Sequence, residues 1–392
     1  MKIGGSKALN TDVIKSKNVK FLLFGIFFIT LSSTLVGFFL PYFLKERGLT
    51  ILDIGMLLTV GLAVGSLVVS VFFGKIQKRI KLSAGNSLAA GFNSLMTFIL
   101  FVIPNTLGVI LSTIFERFST LVFNVSSNVT IQHNNSKNSE GKNAIRWSIY
   151  FSISVVLGLI ISIFSINFLG FTYSLLLFVI LSLPAIYYLS KINDGSRFKI
   201  KSGFKLPKVS RKLKVYLAAG VLYNFILSAS FTLVITFLVT DLFSESYVWV
   251  GVLFIILFSV MGISAFITKK IIDKVNLIIL SSVGMFFLFL SAVMVIFSTN
   301  IYWVLVAMIV EGIGAGIWTP SQSAYYWRHT PPSARESFTG YYQGITTFFK
   351  TLGPLAGGIL VTFFGITGPF YFKAVIALLA IVMYFISMRM ED

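Results

Sequence analysis

Two glutamates stand inside apolar runs, Glu311 in "VLVAMIVEGIGAGIWTPSQSAYYW" and Glu116 in "STIFERFSTLVFN". A carboxylate at bilayer depth is costly unless something offsets its charge, so each is a functional candidate by default. Burial favours the neutral form of such a group and a nearby cation favours the charged form. A carboxylate that alternates between those environments loads and releases a proton. Two cations lie at comparable depth, Arg117 and Lys350. Arg117 adjoins Glu116 in sequence, but neighbours one apart on a helix do not face each other, so its partner is expected on another helix. Lys350, in "GITTFFKTLGPLAGG", is expected to pair with Glu311. Lys373, near the start of the last apolar run, is expected to snorkel to the headgroups. Glu311, Glu116, Arg117 and Lys350 thus form a candidate proton-coupling set in which Glu311 is the leading titratable group, with a purely structural Glu311 to Lys350 pair as the alternative.

These residues need elements that hold them at depth. Of 392 residues, 56% are hydrophobic and 11% charged, with a mean hydropathy of +0.90, far from the composition of a soluble domain. The apolar runs are long and continuous, as in helices that satisfy their own backbone in lipid, and unlike the short alternating strands of a barrel. The expected fold is an all-α integral membrane protein of twelve helices: 21–44, 52–74, 83–103, 107–132, 145–166, 169–190, 215–240, 247–268, 276–297, 301–327, 337–364 and 369–388. The first run is too long for a signal peptide and lacks a small-residue cleavage site, and is read as a retained helix.

Net charge is +19. With both termini in the cytoplasm, 27 of the 32 Lys and Arg fall on the inner side, a strong positive-inside signal that sets the orientation in the cell membrane. The basic segment 191–214 is therefore read as a cytoplasmic linker over anionic lipid headgroups, and nucleic acid is not an expected partner. Cysteine is absent, and His133 and His329 have no ligand partners at metal-binding spacing, so no metal or cofactor is expected beyond the proton. The few titratable groups and the lack of a catalytic constellation argue against an enzyme.

The linker divides six runs from six, and a shift of 195 residues superimposes Glu116 on Glu311, Gly25 on Gly220 and Gly158 on Gly353. The expected domains are 1–190 and 215–392, two pseudo-symmetric six-helix bundles. In the loops after the second and eighth runs, "GKIQKRI" and "KKIIDKV" each keep half of a Gly-x3-Asp-Arg/Lys pattern: Gly74 and Arg79 in one, Asp273 and Lys274 in the other. With Arg117 inside the fourth run, these motifs resemble those of the major facilitator superfamily. Gly353 and Pro354 belong to "LGPLAGG", which is similar to an antiporter motif of that family but lies in a different helix, and "TPPSARESFTGYYQG" resembles a loop of its drug and sugar efflux members.

The resemblance implies alternating access by a monomer, with spans one, four, seven and ten facing a central cavity. It also implies that the loop acid latches the two halves on the cytoplasmic side, a role that Lys78, in place of the first acid, puts in question. The polar or aromatic residues at depth in the cavity spans are Ser32, Ser33, Asn124, Asn128, Asn224, Trp318 and Gln322, candidates for contact with a small-molecule substrate or for helix-to-helix hydrogen bonds. Trp318 would fill the core if it does not stack on substrate. Tyr325, Tyr326 and Trp327 are expected to form an interfacial aromatic belt. Small residues four apart, Gly61 and Gly65 in span two and Gly340, Gly344, Gly353 and Gly357 in span eleven, are expected to let those helices slide on each other. The functional expectation is a secondary active transporter, proton-coupled, with export favoured over import. An uncoupled facilitator, or a membrane sensor on a transporter fold, are the alternatives.

Overall fold

The computed structural model describes residues 4–76, 81–134, 140–192, 209–330 and 335–390. Its helices are α1 (Gly4–Glu46), α2 (Ile51–Ile76), α3 (Leu82–Val102), α4 (Thr106–Asn134), α5 (Glu140–Ser190), α6 (Arg211–Ser230), α7 (Thr232–Phe237), α8 (Tyr247–Thr268), α9 (Leu277–Ile296), α10 (Ile301–His329), α11 (Arg335–Phe364) and α12 (Gly368–Arg389). Among the described residues, eleven helical stretches are long and apolar enough to cross a membrane.

Two of those stretches are interrupted. The 50 residues Gly141–Ser190 would run roughly 75 Å as one helix, far beyond a ~30 Å hydrocarbon core. They break at Gly170, where φ is 73° and ψ 166°, a conformation that glycine adopts without the steric cost of a Cβ. The stretch Arg211–Leu242 breaks at Phe231, whose φ of −89° and ψ of −112° separate α6 from α7. The freed Phe231 ring packs between Phe254, at 4.8 Å, and Phe38, at 6.4 Å.

Two sets of helices emerge from the packing. In the first, α1 lies on α5, α3 on α4 and α5, and α2 on α4. In the second, α9 lies on α10 and α12, α10 on α8, and α6 on α11 and α12. The sets meet where α2 packs on α11 and α5 on α8. Positions related by the 195-residue shift make equivalent contacts. A Cβ on Gly158 would strike Thr34 and Leu31 of α1, and one on Gly353 would strike Ser228 of α6.

Close approach inside the second set depends on the Gly312, Gly314, Gly316 run. A Cβ on Gly312 or Gly316 would meet backbone carbonyls of α8, 2.6 Å from Leu257 and 2.5 Å from Met261, while one on Gly314 would stand 2.8 Å from the Gly284 carbonyl of α9. Alternate glycines thus seat α10 between two neighbours. The expected glycine sliding surface is distributed differently from the sequence reading. Gly61 and Gly65 face Thr113, Ile114 and Arg117 of α4, Gly353 and Gly357 face α6, and Gly340 and Gly344 have no neighbour within 4 Å. The contact between α2 and α11 is made instead by Gly55, against the Pro354 carbonyl, and by Gly358, against Ile51 and Leu52. Spacing alone does not tell which side of a helix meets which neighbour.

Pro354 explains why this contact has polar content. It lacks an N–H, which frees the Lys350 carbonyl one turn earlier. The Ser228 hydroxyl of α6 donates to that carbonyl at 2.9 Å. The next N–H, of Leu355, donates to the Thr59 hydroxyl of α2 at 3.1 Å. A helix opened by proline is satisfied on one side by its own set and on the other by the opposite set.

Substituting Gly314→Val should force α9 and α10 apart, at a cost of about 1–3 kcal/mol. Thermal unfolding of the purified protein in detergent should show a clear drop in Tm, whereas Gly340→Ala, with open space around it, should leave Tm unchanged.

Candidate functional site

The Glu311 side chain is enclosed by three helices. α10 begins at Asn300, whose side chain caps the Tyr302 and Trp303 amides, and carries Glu311 inward to 2% exposure. The Lys373 ammonium of α12 donates to Glu311 Oε1 at 2.6 Å, and the Ser291 hydroxyl of α9 donates to Oε2 at 3.0 Å. Lys373 is itself 1% exposed, with its ammonium 5.9 Å from the Phe370 ring centre. The expected Glu311 to Lys350 pair is therefore replaced by Glu311 to Lys373, and Lys373 does not snorkel. The reason is packing: α9 lies against both α10 and α12, so the ammonium has a carboxylate within reach in a region closed to headgroups. A desolvated pair with an added hydroxyl donor leaves less charge unmatched than either ion alone. The Tyr223 hydroxyl, within the field of Glu311, is buried without a hydrogen-bond partner.

Glu116 has no such enclosure. The 195-residue shift aligns Lys373 with Phe178 and Ser291 with Met96, so the first set offers hydrocarbon where the second offers an ammonium and a hydroxyl. Glu116 is half-buried, and the charge acting on it is that of Arg117. Arg117 is 6% exposed, and its Nε is buried without a partner. A Cβ on Gly65 of α2 would stand 2.8 Å from Arg117 Cβ, which fixes where the arginine stem runs. The next residue of α2, Ser66, has its hydroxyl 3.5 Å from that of Thr351 in α11. Lys350 immediately precedes Thr351, is half-buried, and lies in the field of Arg117. Residues 65 and 66 of α2 thus mark the point where Arg117 and Lys350 converge from opposite sets. Sequence reasoning singled out both cations but did not bring them together.

The candidate substrate contacts are scattered over several hydrogen-bonded groups. Ser32 donates to the Ile29 carbonyl and accepts from Asn93 of α3 at 2.8 Å, and Ser33 donates to the Thr30 carbonyl. Asn224 donates to its own helix at the Gly220 carbonyl, and Gln322 donates to the Tyr342 hydroxyl at 3.3 Å. Trp318 is 5% exposed, donates from Nε1 to the Tyr384 hydroxyl at 2.8 Å, and lies edge-on to Tyr223. Asn124 is half-buried on α4, and its carbonyl accepts from the Asn128 amide.

Asn128 also accepts from Trp327 Nε1 at 3.0 Å, which ties α4 to α10 across the two sets. The expected aromatic belt is not formed here, because Tyr325, Tyr326 and Trp327 are each 3% exposed. Tyr325 stacks on His329 and lies 4.0 Å from Tyr216, and Tyr326 donates to Thr339. The Tyr326 hydroxyl and the Trp327 indole find partners on other helices and Tyr325 is held by ring contacts, so the rings turn inward rather than to the headgroups. Nearby, Asp273 pairs with Arg328 at 3.3 Å, and its carboxylate would lie 2.7 Å from a Cβ on Gly141 at the start of α5. Lys274 is exposed. Gly74 lies in α2, and Arg79, like Lys78, falls outside the described residues.

A multi-pass membrane protein of long apolar helices, with charges gathered where two helix sets meet, has the form of a membrane transporter. A family model described as Major Facilitator Superfamily matches residues 22–349 and 278–391, and the chain belongs to that superfamily. Over 109 residues it is 30% identical to an uncharacterized MFS-type transporter of Methanocaldococcus jannaschii, covering 28% of each chain. Over 129 residues it is 28% identical to the proton-coupled antiporter flippase LtaA of Staphylococcus saprophyticus, covering 31% of this chain and 32% of that one. The matched region is thus less than a third of these relatives' length. Among solved structures, the human organic anion transporter MFSD10 (TETRAN) superimposes with a TM-score of 0.79 at 12% identity, over 94% of this chain and 99% of that one. A bacterial homologue of the iron transporter ferroportin, in an outward-facing state, gives 0.73 at 13% identity, over 95% and 100%. At such identities the likeness is one of fold.

Replacing Glu311→Gln should leave the Lys373 ammonium buried without its counter-charge and destabilise the protein by about 3–5 kcal/mol. The double substitution Glu311→Met with Lys373→Met should recover most of that loss, as read from melting curves in detergent.

Proposed function

We propose that this chain is a secondary active transporter that moves a small organic solute by alternating access, coupled to protons. Counting the kinked α5 as two crossings and α6 with α7 as one gives twelve. They are read as two six-helix bundles, 1–190 and 215–392, joined by the basic cytoplasmic linker 191–214, with both termini on the cytoplasmic side of the cell membrane. The working unit is a monomer among membrane lipids, with no cofactor besides the coupling proton. Export is the favoured direction, in keeping with the efflux-like loop and with similarity to proteins named as proton-coupled antiporters.

One observation carries the coupling assignment. Of the two glutamates at depth, Glu311 is sealed in an ion pair inside one helix set, while Glu116 is half-buried beside the junction and has no hydrogen-bond or ion-pair partner among the described residues. A coupling group must reach water from alternate sides, which a sealed pair resists. Glu116 is therefore assigned the proton, Arg117 the neighbouring charge, and Lys350 the facing charge from the other bundle. Glu311 and Lys373 hold α10 and α12 together. The solute is placed along Asn124, Asn128, Asn224 and Gln322, with Ser32, Ser33 and Trp318 shaping the wall. The contacts of Gly55, Gly353 and Pro354 set how α11 moves, and Asp273 with Arg328 steadies the cytoplasmic end.

In vesicles containing a pH dye, the unmodified protein should produce a solute-dependent pH change when presented with a panel of sugars, organic ions and lipophilic drugs. Glu116→Gln should abolish that change, by at least tenfold, while leaving exchange of labelled solute across the membrane intact. Equal solute movement without any pH change in either protein would favour the uncoupled facilitator.

A further inference from the structure

The charges at the junction of α2, α4 and α11 do not balance. Within its membrane-spanning helices the chain carries Glu116, Arg117, Glu311, Lys350 and Lys373. The Glu311 and Lys373 pair is neutral as a unit and closed to solvent. What remains is one carboxylate and two cations. An ion pair with the first set's other acids is absent among the described residues, since Asp53 is engaged by Thr50 at the outer start of α2 and Glu46 by Tyr42. With all three ionised the group carries one excess positive charge in a low-dielectric setting, where an unmatched charge is costly.

The geometry points the same way. Arg117 is nine-tenths buried, its stem is held against Gly65, and its Nε has no acceptor. A buried guanidinium with an unfilled donor is an opening for a planar oxyanion, which it binds through two parallel hydrogen bonds. Lys350 comes from the opposite helix set, and its backbone is anchored by Ser228 at the proline break. A ligand held by both cations would therefore bridge the two sets.

Resting on the transporter reading above, we propose that Arg117 and Lys350 are the subsite for the negatively charged group of the transported solute, so that the solute is an organic anion bearing a carboxylate or phosphate. Arg117 supplies the forked contact and Lys350 the second charge. The anion also removes the repulsion between them, which lets α4 and α11 approach. An empty site, by contrast, keeps two like charges facing each other across the junction.

The test uses the full chain reconstituted in vesicles at fixed pH, with counterflow of labelled benzoate, benzamide, benzylamine and glycerol 3-phosphate. Fluorescent phosphatidylglycerol reports movement of a lipid headgroup. Anion-dependent melting shifts in detergent read binding independently. The expected result is that benzoate or a phosphate moves and raises Tm, while the matched amide and amine do neither. Lys350→Gln and Arg117→Gln should each weaken the effect by about tenfold or more, and Lys350→Arg should restore most of it, which separates charge from folding. Movement of phosphatidylglycerol alone would identify the anion as a lipid headgroup and keep the proposal. If the amide or amine moves as well as benzoate, the anion proposal falls while the transporter reading stands. If a solute-driven pH change is found for neutral sugars alone, the proposal falls likewise, and if nothing binds or moves, both readings fall.

Discussion

A charge in hydrocarbon has to be matched, kept wet or neutralised, and most of what distinguishes this chain follows from how the five charges within its membrane-spanning helices meet that demand. Glu311 and Lys373 solve it locally. Their contact joins α10 and α12, with Ser291 of α9 filling the remaining acceptor, so three helices are fixed by one neutral unit. Replacing such a pair with well-packed apolar residues is often neutral, so its presence says more about fixing a specific arrangement than about adding stability. Glu116, Arg117 and Lys350 do not solve it locally, and the imbalance falls at a boundary between helix sets rather than inside one.

That boundary is built from backbone as much as from side chains. Pro354 opens α11, and the exposed groups are taken by Ser228 and Thr59 from opposite sides. Lys350 sits at the carbonyl that the proline frees, so the position of its ammonium depends on the same break that seats α11 on α2. The glycine contact at Gly55 permits this approach without committing a side chain. At one end of the helices Trp327 with Asn128 makes a further tie between the sets, and at the other end Lys45 reaches Thr240 and Asp241. Lys45 and Thr240 are 195 residues apart, the same interval that superimposes Glu116 on Glu311.

Much of the helix layout was legible in the sequence because hydrocarbon imposes it. Apolar runs of spanning length, basic loops and a basic linker leave few alternatives, and the break expected near 166–169 falls at Gly170. The candidate charges were legible for the same reason, since any ion in such a run stands out. Their pairing was not. Depth along a helix can be counted from sequence, but azimuth and the identity of the neighbouring helix depend on packing, and so depth alone favours Lys350 for Glu311 where the fold supplies Lys373. The repeat held a signal for the correct reading: at the shift of 195 residues, Lys373 and Ser291 replace Phe178 and Met96, a paired change in the two neighbours of a duplicated glutamate. The inward turn of Tyr325, Tyr326 and Trp327 was hidden for a different reason, because aromatic residues near a span end serve either a headgroup or a helix junction, and composition does not separate the two.

The two glutamates related by the 195-residue shift stand in different surroundings. Two halves that began with equivalent acids at equivalent depth would have equal claims to a mobile proton. Adding an ammonium and a hydroxyl around one of them removes that claim, since its release would require breaking a buried pair, a cost of several kcal/mol before any proton moves. At the equivalent positions around the other, Phe178 and Met96 offer neither group, which preserves it. In the mechanism proposed above, the helix set with the sealed pair moves as one body, and the set with Glu116 holds the titratable group. Lys350 lies in the other set within the field of Arg117, so on that proposal a change of charge at Glu116, or of ligand at Arg117, alters the energy of the contact between the two sets and with it the balance between their relative positions.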